Sequence, residues 1–197
     1  AENEARLDRD SLDQLVDHGA EITTPWSDEM RELFVRLLRT GDSAIHVVEA
    51  LDHAGLFTRL LPEWEPNRSK VQRNQYHRFT VDRHLLEASS IASTLTDTVD
   101  RPDLLVVGAL LHDIGKGYPG DHTEVGIVLI DTIASNMGFT VDDVDMLKRL
   151  CEHHLLLVAV ASRRDIEDPG TIAAVAEQVR TRPFLHLLAA LSESDSI

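Results

Sequence analysis

The chain has 197 residues, 43% of them apolar and 5% aromatic, with a formal charge of −15. That length suits one domain, or one domain with an extension, and the dominance of Ala, Leu and Val favours helices over a β-sandwich. The acidic balance argues against nucleic acid as a partner, because duplex affinity comes largely from Lys and Arg neutralising phosphates, and no stretch approaches the roughly 20 apolar residues of a membrane-spanning helix.

Residues 1–26 are polar and weakly periodic, which predicts a strap or linker end. Ser27 then has the character of an N-cap, with Asp28 and Glu29 in the first turn. Met30, Leu33, Phe34, Leu37 and Leu38 follow at helical spacing, and Gly41 ends the helix. Asp42 or Ser43 opens the next, with Ile45, Val48 and Leu51 as its buried stripe and Gly55 at its close. Leu56 to Pro62 is a short apolar helix or turn. Residues 63–78, EWEPNRSKVQRNQYHR, have no clean period and carry Arg68, Lys70, Arg73 and Arg78. This locally basic stretch is either a solvated loop or a phosphate-facing rim.

A helix is predicted from Thr80 to Leu95, with Val81, His84, Leu85, Ala88, Ile91, Ala92 and Leu95 inward. The near-continuous apolar run LLVVGALLHDIGKG predicts a central buried helix broken after Gly115. Asp121 or His122 precedes a helix to about Met137, with Val125, Val128, Leu129 and Ile133 inward. Thr140 and Asp143 form a capping pair for a helix ending near His154. Asp168-Pro169 starts another that runs to about Arg180. The last, Phe184 to Asp195, buries Leu187, Leu188 and Leu191. No strand-period segment longer than a few residues and no internal repeat is visible, so the fold class is all-α. Cys151, the single cysteine, excludes an internal disulfide and fits a reducing cytoplasm. On the apolar face of Leu147 and Leu150 it is expected to be core filler.

Seven residues of metal-ligand type stand in the order H…HD…H…HH…D: His84, His112, Asp113, His122, His153, His154 and Asp195. Imidazole and carboxylate together suit manganese, iron, cobalt, nickel or zinc. Asp113 can hold one ion with each oxygen, and two ions roughly 3.5–4 Å apart polarise a phosphoryl oxygen and activate a water. Asp195 points inward with Leu188 and Leu191, where an unpaired carboxylate is costly. His18, His46 and His53 are expected to be ordinary core histidines.

This set resembles the HD superfamily of metal-dependent phosphohydrolases, whose fold is an all-helical bundle with the site at its centre. His84, His112-Asp113 and Asp195 match its H…HD…D signature; His122 and His153-His154 match the extra ligands of two-metal members. Gly117-Tyr118-Pro119 precedes the paired histidines, so its likeness to the cyclic-dinucleotide HD-GYP family is coincidence. The segments QRNQYHRFTVDRHLLE, LLHDIGKGYPGDHTEVG, HHLLLVAVASRRDIEDPGTI and LSESD are similar to the central HD domain of the bifunctional PII uridylyltransferase/uridylyl-removing family.

That resemblance implies a strap and helical linker over residues 1–62 and a hydrolase domain over 63–197. The absent initiator Met and the stop at Ile197 suggest a piece of a longer chain, with a nucleotidyltransferase domain upstream and ACT domains downstream. It further implies two divalent ions (manganese, iron, cobalt, magnesium or zinc), one held by His84, His112, Asp113 and Asp195 and the other by Asp113, His122, His153 and His154. Asp113 and Lys116 would be catalytic. Lys116, Arg163, Arg164 and Arg73 would meet substrate phosphate, although each of these cations could instead be merely solvated. The substrate would be a nucleotidylated PII signalling protein, carrying UMP or AMP on a tyrosine. Hydrolysis of free nucleotides, or a non-catalytic metal-stabilised module, are the alternatives.

Overall fold

A computed structural model describes residues 9–19, 21–72 and 78–196. The described residues form eleven α-helices and no strand. They are α1 (Arg9–His18), α2 (Asp28–Leu38), α3 (Asp42–His53), α4 (Phe57–Leu60), α5 (Val81–Thr94), α6 (Pro102–Leu111), α7 (His122–Asn136), α8 (Val141–His153), α9 (Leu156–Arg163), α10 (Pro169–Val179) and α11 (Arg182–Ser194). Short 3-10 turns, Pro62–Asn67 and Ile114–Gly117, flank the region where the metal-type residues meet.

The apolar run does make the central helix. Leu104 to Leu111 of α6 are all buried, on every side of the helix. A helix apolar all round must be surrounded, and α5, α8, α11 and α2 pack around it. Gly108 lets α8 come close, since a Cβ there would stand 2.9 Å from Leu150 Cδ1. The helix ends at Leu111, four residues before the predicted break, and a 3-10 turn takes over.

Caps fix the register of several helices, among them α7 and α8, which carry site residues. Asp121 accepts from the amides of Thr123 and Glu124 at the start of α7. Thr140 and Asp143 form a full capping box at α8, and Asp168 accepts from Thr171 N at α10. Each such cap stabilises by about 1 kcal/mol. Gly115 sits where the 3-10 turn touches α7: a Cβ there would lie 2.0 Å from the His122 carbonyl oxygen and 2.7 Å from Gly126 N.

The N-terminal helices share the same core. Trp26, Phe34, Leu38, Ile45, Val48, Phe57 and Trp64 belong to one buried cluster with Leu85, Leu110 and Leu191. Trp26 meets Phe34 edge-on, and Phe57 meets Trp64 the same way.

Several expectations need correction. The strap contains a helix, α1, which buries no residue and is tied back by Arg59 Nη1 donating to Val16 O. The LLLVAV stretch, for which the sequence predicts no element, is also helical, as α9. On α7 the buried residues are Gly126, Ile130, Ile133 and Ala134, while Val128 is 68% exposed. Leu33 likewise faces outward. His18, His46 and His53 lie on the surface rather than in the core. Cys151 is core filler as expected, and burial pushes its thiol up to about 12. No helix among the described residues is long and apolar enough to cross a membrane.

Candidate metal centre

Helix ends bring the ligand-type residues together. His112 is the C-cap of α6 and His154 the C-cap of α8, and the two share the same backbone angles, φ −54° and ψ −32°. In each, ring Nδ1 lies on the carbonyl three residues back: Ala109 O at 2.8 Å for His112 and Cys151 O at 2.6 Å for His154. That bond fixes a proton on Nδ1 and leaves Nε2 facing the site. His84 comes from the first turn of α5, His122 from the first residue of α7, and Asp195 caps α11. Asp113 stands between α6 and the 3-10 turn, 2% exposed.

Asp113 separates two groups of ligand atoms. His84, His112, Asp113 and Asp195 form one, and Asp113, His122 and His154 form the other; within each, the atoms lie within 4.8 Å of one another. Asp113 Oδ2 faces the first group, 3.4 Å from His112 Nε2 and 3.8 Å from His84 Nε2. Asp195 Oδ1 completes it, 3.0 Å from His84 Nε2 and 3.1 Å from His112 Nε2. Asp113 Oδ1 faces the second group, 3.8 Å from the Nε2 atoms of both His122 and His154.

These spacings fit metal ions. Ligands about 2.1 Å from one ion stand roughly 3.0–3.5 Å from each other, close to the separations in the first group and slightly shorter than those in the second. Asp113 Oδ1 is buried and has no hydrogen-bond partner among the described residues. A carboxylate oxygen left that way is costly, and a cation between it, His122 and His154 removes the cost.

The electrostatics agree. Burial opposes charge on Asp113, but His112, Lys116 and His154 outweigh it and hold its carboxyl well below the usual range. Asp195 is lowered too, with burial overcome by its hydrogen bonds to His112 and His84. Burial alone would lower the His112 imidazole, yet the adjacent Asp113 and Asp195 raise it to about 10. His154 is lowered, by burial first and then by the charge on His112. Two ionised carboxylates in a low-dielectric pocket thus demand positive charge.

The other residues singled out from sequence fall in different places. His153 is not brought into either group: its ring meets Phe184 edge-on at 6.1 Å, and its Nε2 lies 3.7 Å from Glu152 Oε2. Lys116 does reach the centre, with Nζ 2.5 Å from Asp113 Oδ2. Arg163 ends α9 and Arg164 caps it, both exposed. Arg73 lies outside the described residues. In the basic stretch, Arg68 is paired with Asp52 and Glu65, and Lys70 donates to Gly117 O. Both are engaged with the body of the protein. Gln72, which sequence reasoning did not single out, accepts from Lys116 Nζ at 2.9 Å. An isolated amide in an aperiodic stretch carries no pattern by which to find it.

The sequence profile of the HD domain family matches residues 81–195, the span from the start of α5 to Asp195. The chain belongs to the HD domain family. This HD domain is 48% identical over 191 residues to a bifunctional uridylyltransferase/uridylyl-removing enzyme of Streptomyces coelicolor, covering 97% of the chain and 23% of that protein. The enzyme of that name from Mycobacterium tuberculosis is 44% identical over 187 residues, covering 94% and 23%. The one from Corynebacterium glutamicum is 35% identical over 176 residues, covering 89% and 25%. The chain therefore spans about a quarter of the length of these relatives, and the resemblance read from its motifs holds.

Proposed function

We propose that this HD domain is a metal-dependent phosphodiesterase that releases UMP or AMP from a modified tyrosine of a PII signalling protein. The observation that carries it is the division of Asp113, one oxygen toward each group of imidazoles. The names of the relatives, which pair a uridylyl transfer with a uridylyl removal, support the same reading. In a full-length chain, a nucleotidyltransferase domain upstream and ACT domains downstream would accompany it. Residues 63–197 would be the hydrolase unit and 1–62 its strap and helical linker.

Two divalent ions bound in these groups would supply Lewis-acid polarisation of the phosphoryl group and activate the attacking water. Manganese, iron, cobalt, magnesium and zinc are the candidates. His84, His112, Asp113 and Asp195 would hold one, and Asp113, His122 and His154 the other. The chain's own residues do the rest. The carbonyls of Ala109 and Cys151 hold His112 and His154 in the ligating tautomer. Lys116, beside the Asp113 carboxylate, would offset charge that builds on a phosphoryl oxygen. Tyrosine leaves as a phenolate whose reference pKa is about 10, so expulsion needs no strong general acid.

The test is to incubate metal-loaded protein with UMP-PII and AMP-PII and follow the mass of intact PII. Loss of the nucleotide from at least one is expected, with free nucleoside triphosphates largely untouched. If both forms of PII keep their nucleotide while free nucleotides are hydrolysed, the protein-substrate reading fails and a nucleotide phosphohydrolase replaces it. If neither is hydrolysed, the metals only hold the bundle together.

A further inference from the structure

The stretch before α5 is stitched to the turn that carries Lys116. Asn67 Nδ2 donates to Ile114 O at 3.0 Å, Lys70 Nζ to Gly117 O at 2.9 Å, and Tyr118 Oη to Glu63 O at 3.2 Å. All three end on backbone carbonyls and fix the two segments against each other. Gly117 admits the close approach, since a Cβ there would stand 2.7 Å from Asn67 Nδ2. A fourth bond differs in kind: Gln72 Oε1 accepts from the Lys116 ammonium, which also meets Asp113 Oδ2.

We propose that Gln72 is a positioning residue that holds the Lys116 ammonium at the metal centre for contact with the phosphoryl group. This rests on the phosphodiesterase reading above. The Gln72 amide has a defined sense: its Nε2 donates to Phe79 O at 3.5 Å, which turns Oε1 toward Lys116. A lysine side chain carries about 2 kcal/mol of rotamer entropy. An ammonium already placed between Asp113 and Gln72 has lost most of that freedom before substrate arrives. Charge aimed at the transition state needs no rearrangement when it is placed in advance. The three backbone stitches do not involve Gln72, so its removal leaves the two segments joined.

The experiment compares Gln72→Leu, Gln72→Glu, Lys116→Ala and the double variant Gln72→Leu/Lys116→Ala, all loaded with manganese. One readout is cleavage of bis(p-nitrophenyl) phosphate, a small diester that needs no protein partner. The other is the affinity for inorganic phosphate by titration calorimetry, which needs no turnover. Gln72→Leu should lower kcat about tenfold, the loss expected for one hydrogen bond to a charged group. KM and metal content should hardly move. Phosphate affinity should fall several-fold, while Gln72→Glu, which keeps the acceptor, should retain most of both. On the Lys116→Ala background, Gln72→Leu should have no further effect, because a positioning residue acts only through the group it positions.

Equal losses from Gln72→Leu with and without Lys116 overturn the proposal, as does loss of metal or a wild-type phosphate affinity in Gln72→Leu. If the protein cleaves the small diester but leaves nucleotidylated PII intact, the substrate reading has failed while Gln72 is still judged by the small diester. If it cleaves neither, phosphate affinity alone decides on Gln72.

Discussion

On the Oδ2 side of Asp113 the partners are enclosed: His84 and His112 are buried, and Asp195 has 17% of its side chain exposed. On the Oδ1 side His154 is buried, but the side chain of His122, at the start of α7, is 37% exposed. The first side has a second carboxylate and the shorter separations. The second has one carboxylate oxygen shared among imidazoles. One carboxylate thus joins a closed, heavily charged cage to an open mouth. The closed side is suited to keeping an ion, and the open side to meeting a bulky diester that arrives from solvent.

The largest effect should come from the atom that joins the sides. Asp113→Asn is expected to lower turnover by about 10³-fold or more, and elemental analysis should find fewer than two ions per chain. Two ions retained in that variant would separate the sides and break the comparison. Next come the histidines on either side. In metal-free protein, His112→Ala leaves the buried Asp113 carboxylate and the partly buried Asp195 carboxylate without their main partner and should cost about 3 kcal/mol. His122→Ala, at a half-open position, should change stability by less than about 0.5 kcal/mol. Denaturant melts of the two variants measure that gap, and equal costs would mean the sides are alike. The exposed variant should still lose an ion when metal is added back.

Lys116→Ala should cut kcat about tenfold to a hundredfold with both ions retained; loss of metal would assign Lys116 to the cage rather than to the substrate. His153→Ala sharpens the boundary of the open side. It should keep full metal content, with turnover within about twofold of the parent, and an ion lost there would make His153 a ligand after all. An effect on stability alone lies outside both sides, where Arg101 bridges Asp103 and the capping-box Asp143. Burial raises Asp143, but Arg101 and Thr140 outweigh it, so its carboxyl is lowered from 3.8. A lowered folded value means stability that is present above pH 3.8 and lost as pH falls through the lowered value. Asp143→Asn should therefore cost about 1 kcal/mol at pH 7, and melts repeated near pH 2 should show the difference shrinking.

The parts of this molecule legible in its sequence are those where one pattern dictates one outcome. Leu104 to Leu111 have no polar face, so α6 had to be central. Thr140 with Asp143, and Asp168 with Pro169, are cap signatures that work locally. His153 and His154 mark where such reasoning stops. Neighbours on a helix point roughly 100° apart, so only one of the pair faces Asp113, and α8 turns that one to be His154. Val128 followed the apolar spacing of α7 but lies on its exposed side. α1 escaped notice because it is short, polar on average and buries no residue.

Gly115 supplies no ligand and no charge, yet it sets a tolerance on the whole centre. Its missing side chain is the clearance between the turn bearing Asp113 and Lys116 and the helix bearing His122. Even a methyl group would have to push α7 away, and the open half of the centre would move with it. In a library of variants selected for activity, position 115 should be as intolerant as Asp113 itself. Grafting this centre onto another helical scaffold would require copying that backbone contact along with the side chains.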